Sequence, residues 1–75
     1  HGSLISGQYD KAIDRFGKVL ALQPGNLEAI LMTAEVYERK ADKANAIQWY
    51  SNALPFAPNP NMKNALEKRI EELKK

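Results

Sequence analysis

Apolar side chains recur three and four positions apart in four successive stretches of the chain, and strand-type alternation appears in none of them. Tyr9, Ala12, Ile13, Phe16, Val19 and Leu20 form the first stripe and predict a helix from about Gln8 to Leu22, ended by Pro24 and Gly25. A second helix follows, up to about Arg39, with Leu27, Ile30, Leu31, Ala34 and Tyr37 inward. Asn26 is placed to cap it and Glu28 to meet the positive end of its dipole. Asp42 opens the third helix, which turns Ala46, Ile47, Tyr50, Ala53 and Leu54 inward and must stop near Pro55, whose ring removes a backbone donor. Asn59 as cap and Pro60 in the first turn begin the fourth, with Met62, Leu66, Ile70 and Leu73 on one stripe and charge over the rest.

Connections of about two to five residues leave sequential helices no choice but to fold back on each other as antiparallel hairpins. Residues 7–26 also overlay residues 41–60 without a gap. Ala12/Ala46, Ile13/Ile47, Leu20/Leu54 and Pro24/Pro58 are identical, and Gly7/Ala41, Phe16/Tyr50, Val19/Ala53 and Leu22/Phe56 are conservative. The agreements fall on small, aromatic and aliphatic positions of the inward stripe, so the chain repeats itself at an offset of 34 residues.

With small, aromatic and proline landmarks at that period, the sequence resembles the tetratricopeptide repeat. Gly7, Tyr9, Ala12, Phe16, Leu20 and Pro24 look like the second half of one unit. Ile30, Thr33, Ala34 and Tyr37 with Ala41, Ala46, Tyr50, Ala53, Leu54 and Pro58 look like a whole one. The resemblance implies an all-α fold of about four helices, antiparallel hairpins stacked as a right-handed α-solenoid in a single domain. It divides residues 1–75 into a partial repeat (1–26), a full repeat (27–60) and a C-terminal capping helix (61–75), the end of a longer protein. Two positions depart from the pattern. Lys43 stands where Tyr9 stands one repeat earlier, which predicts a lysine stem lying over apolar surface, and Thr33 stands where the family usually has leucine.

Composition narrows the chemistry further. In 75 residues, 44% hydrophobic and 27% charged describe a chain that folds, and a net charge of +2 from 11 basic and 9 acidic residues does not call for nucleic acid. No cysteine is present, which fits cytosol and periplasm equally, and no apolar stretch approaches a membrane span. His1 is the single histidine, there is no glycine-rich phosphate loop, and the carboxylate pairs Asp10/Asp14 and Glu67/Glu71 lie four apart on solvated faces. No catalytic residue, metal ligand or cofactor site is therefore expected.

The resemblance implies a scaffold that binds a peptide or protein segment in a concave groove. That groove would be lined by the helix Leu27 to Arg39 through Glu28, Leu31, Met32, Glu35 and Glu38. Three carboxylates and two flexible apolar side chains suit a basic or amphipathic segment, and they would repel the terminal carboxylate that some family members hold. The runner-up is a structural end-cap of a larger assembly factor, self-associating through an uncovered first helix. RNA binding by helical hairpin repeats comes third, since three glutamates are ill placed on an RNA face. Trp49 is expected between hairpins rather than as an exposed anchor.

Overall fold

In the computed structural model the backbone of residues 2–75 and the side chains of residues 7–75 are described. Four α-helices follow one another: α1 (Gly2–Leu22), α2 (Leu27–Arg39), α3 (Lys43–Ala53) and α4 (Pro60–Lys74), with a 3-10 turn over Leu54–Phe56. No strand occurs among the described residues.

The capping chemistry acts where the sequence placed it. The side-chain oxygen of Asn26 accepts the Ala29 amide at 3.1 Å, that of Asp42 accepts the Asn45 amide at 3.3 Å, and that of Asn59 accepts the Met62 amide at 2.8 Å. Each satisfies a first-turn donor that the helix itself cannot. Pro55 does not end the helix in a loop. It sits in the 3-10 turn, where its missing N–H costs nothing, and Ala57 then extends the chain.

The first helix departs from expectation at its start. It runs unbroken through Gly7, although the repeat pairs Gly7 with Ala41, and Ala41 carries the turn between α2 and α3 at a left-handed φ of 64°. A turn at that position serves to bring one helix back over another. No atom lies within 4 Å of the place a Cβ would take at Gly7, so no packing opposes the continued helix there.

Packing proceeds in chain order, α1 on α2, α2 on α3 and α3 on α4. The core joins Ile30 and Ala34 of α2, Ala46, Tyr50 and Ala53 of α3, and Leu66 and Ile70 of α4. Alanines at the α2/α3 crossing let the two backbones approach closely, and the larger side chains close over them. Thr33, buried beside this cluster, donates its hydroxyl to the Ala29 carbonyl at 2.8 Å. A residue smaller than the expected leucine thus fits, with its one polar atom satisfied.

Charged contacts tie the layers at their edges. Glu38 of α2 accepts the Tyr50 hydroxyl of α3 at 2.9 Å and Arg69 of α4 at 3.1 Å. Lys40 reaches Asp10 of α1 at 2.6 Å while its ammonium lies 5.8 Å from the Tyr37 ring centre. Lys43, expected to lie over apolar surface, is exposed in the first turn of α3. The lysine that stands over an aromatic ring is Lys40, through its ammonium.

Candidate functional site

A cleft runs along the α1/α2 junction. Its wider part, about 410 Å³, is lined by Gln8, Tyr9, Ala12 and Phe16 of α1 and by Met32, Glu35, Val36 and Arg39 of α2. A narrower continuation of about 240 Å³ lies between Phe16 and Val19 on one side and Asn26, Glu28, Ala29 and Met32 on the other. Phe16 and Met32 belong to both parts, and Met32 is 43% exposed, high for a large apolar side chain on a packed helix.

Why these side chains share a cleft follows from helix geometry. Glu28, Met32 and Glu35 are four and three apart, so α2 presents them as one ridge. Tyr9, Ala12, Phe16 and Val19 do the same on α1. The α1 ridge is only partly covered, whereas the matching face of α3 is closed, with Ala46 at 0%, Tyr50 at 7% and Ala53 at 0% exposure.

The charges are unevenly committed. Glu35 accepts Arg39 at 3.0 Å, an i to i+4 pair in the favourable acid-first order but open to solvent on both sides. Glu28 sits in the first turn of α2 near the positive end of the helix dipole. At the far end of α2, Lys40 is paired with the Asp10 carboxylate of α1, whose hydrogen bond holds that ammonium above its ordinary value.

Of the residues expected to line a groove, Glu28, Met32 and Glu35 are at the cleft. Leu31 instead packs against the core, and Glu38 is engaged with Tyr50 and Arg69 on the other side of α2. Tyr9, Phe16, Val19 and Val36 line the cleft as well. Sequence reasoning assigned all but Val36 of these to a buried stripe, because periodicity shows which face is apolar and not whether anything covers it.

A second hollow of about 430 Å³ opens between Leu20, Pro24, Ile30, Trp49, Pro55 and Phe56, with Ser51 and Asn52 at its edge. Trp49 packs there against the core between the two hairpins, as expected. Phe56 lies over the α1/α2 turn so closely that a Cβ on Gly25 would stand 3.4 Å from its ring. No charged side chain lines this hollow, which gives it little means of fixing the orientation of a bound segment.

No helix is long and apolar enough to cross a membrane, and no cluster of three potential metal-binding side chains occurs, both among the described residues. Neither a curated protein nor a solved structure gives a match to the chain. The family model described as Tetratricopeptide repeat matches residues 3–69, nearly the whole chain, in agreement with the helical order and the closed α2/α3 hairpin. This family is a non-catalytic repeat scaffold whose members generally mediate protein–protein interaction. The chain belongs to the tetratricopeptide repeat family.

Proposed function

We propose that this domain binds a protein or peptide segment in the α1/α2 cleft and has no catalytic role of its own. The observation that carries the reading is a partly covered apolar floor, Phe16 and Met32, set between the carboxylates Glu28 and Glu35. An apolar floor supplies affinity through burial, and carboxylates at the rim supply orientation and discrimination. The segment that fits is basic or amphipathic, since an acidic one would bring like charges to Glu28 and Glu35.

Affinity capture with the full-length protein, run beside a Glu28→Lys, Met32→Glu, Glu35→Lys triple variant, tests this. All three residues are exposed, so the variant should melt near the parent temperature while losing the captured partner. A partner retained in full by a folded triple variant would refute the cleft as the binding site. Glu35→Ala alone should leave folding intact and alter only the affinity.

A further inference from the structure

We propose that α4 closes the helical stack. Its near face seats it on α3, its far face is built to stay in water, and no further helical hairpin, whether from this polypeptide or from a second copy, seats upon it. The closure is independent of what binds in the α1/α2 cleft.

The chain supplies its own comparison, because α2 and α4 occupy corresponding places at the 34-residue offset. Each packs on the helix before it, α2 on α1 and α4 on α3. The ridge that meets this preceding helix is carried over: Met32, Val36 and Arg39 of α2, at the cleft with α1, become Leu66, Ile70 and Leu73 of α4. Leu66 and Ile70 are buried in the core, and Leu73 packs against it. A helix inside a stack needs a second ridge, for its successor. On α2 this is Ile30, Thr33, Ala34 and Tyr37, spaced three and four apart, with Ile30 and Ala34 in one cluster with Ala46, Tyr50 and Ala53 of α3. The same offset places Asn64, Glu67, Lys68 and Glu71 on α4, and all four are exposed.

These are side chains of α4 itself, and whatever follows Lys75 leaves them as they are. A helix of the α3 kind laid on them would take two carboxylates, an ammonium and an amide out of water against an alanine-rich and aromatic surface that offers them no partners. The hollow beside this ridge has the same character. About 430 Å³ in volume, it lies between α3 and α4 and is rimmed by Ser51, Glu67, Glu71 and Lys74, with Leu54 and Ile70 as its apolar lining. Leu54 stands where Leu20 stands one repeat earlier, and the Leu20 hollow, into which Trp49 of α3 packs, carries no charged side chain. Where a successor helix is seated the trough is uncharged, and on α4 charges occupy it. Glu67 and Glu71 add a like-charge pair at i and i+4, a repulsion that water screens and a packed helix would not.

Two extended chains test the closure. In the first, residues 41–75 follow Lys74 in place of Lys75, and since Lys74 stands at the place of Lys40 the repeat register continues unbroken. The second carries the same extension together with Asn64→Ile, Glu67→Thr, Lys68→Ala and Glu71→Tyr, which give α4 the second ridge of α2. Hydrogen exchange is followed in the appended copy of Lys43–Ala53 and compared with α3 of the same chain. In the first chain the appended helix should exchange at least about a hundredfold faster than α3, and in the second its exchange should slow to within about tenfold of α3. An appended helix protected like α3 in the first chain would mean that α4 accepts a successor as it stands, and would overturn the proposal. Equal lack of protection in both chains, with α3 protected in both, would overturn it as well, since these four side chains would then not be what closes the stack. For a second copy the readout is sedimentation of the 75-residue chain, whose association should be unchanged by Glu67→Lys with Glu71→Lys. Association lost or gained in that variant would place a second copy on α4 and refute the closure.

Discussion

Ala41 turns the chain between α2 and α3 at a φ of 64°, a region where a Cβ crowds the following carbonyl and costs roughly 1–2 kcal/mol. The helix end leaves little alternative, because the Ala41 amide donates to Glu38 at 3.0 Å and the Asp42 amide to Tyr37 at 2.9 Å, which closes the last turn of α2. Glycine adopts this conformation without the clash, and it stands at the corresponding position one repeat earlier, as Gly7. Ala41→Gly is therefore expected to stabilise the domain by about 1 kcal/mol, the relieved clash outweighing the added freedom of the unfolded chain. A higher midpoint in chemical denaturation with an unchanged slope would bear this out, and an unchanged or lowered midpoint would not. Ala46 is the opposite case. It is fully buried where α2 crosses α3, so Ala46→Glu would bury an unpaired carboxylate and is expected to unfold the chain, read as loss of the thermal transition.

At the scale of the elements, one carboxylate joins three helices. Glu38 takes the Tyr50 hydroxyl and the Arg69 guanidinium at once, and burial, then the hydrogen bond to Glu38 and its negative charge, pushes the Tyr50 phenol up from 10.0 to about 12. The folded state thus prefers the protonated phenol. Its contribution is fully present below pH 10.0, the unfolded value, and is lost as pH rises toward 12, the folded one. In Tyr50→Phe the alkaline limb of the stability profile should begin at higher pH than in the parent, as followed by thermal melts between those limits. Superimposable limbs would mean that Tyr50 does not contribute. Glu38 also shows what sequence could and could not yield. The caps Asn26, Asp42 and Asn59, the helix stops and the repeat offset were all legible because they depend on neighbours within a few residues or on one fixed spacing. Glu38 was expected in the groove on the family's pattern, and no pattern along the chain shows Arg69 reaching across from α4 to engage it. Phe16 and Val19 were read as buried for the converse reason: the pattern marks an apolar face, and only tertiary structure tells whether another element lies on it.

The Cα trace spans 39 × 33 × 14 Å, in its thinnest direction no more than two layers of helices packed at the usual spacing of roughly 8–10 Å between axes. A slab that thin has no deep interior, which is why its buried residues gather where α2, α3 and α4 meet and why α1 packs chiefly on α2. Stability in such a stack approaches a sum of nearest-neighbour interfaces. Leu20, on α1 against the edge of the core, and Ile70, on α4 at the opposite side, belong to different interfaces, so Leu20→Ala and Ile70→Ala should add to within about 0.5 kcal/mol. Tyr50→Phe and Arg69→Ala share Glu38 and should not. Removing either partner weakens what the other can gain, and a coupling of about 0.5 kcal/mol or more is expected in a double-mutant cycle. Strong coupling between Leu20 and Ile70 would instead mean that the slab folds as one cooperative core. A segment bound in the α1/α2 cleft would then stabilise α4 as much as α1, and hydrogen exchange in α4 would slow on binding as far as in α1. Under the nearest-neighbour reading the added protection is concentrated in α1 and α2.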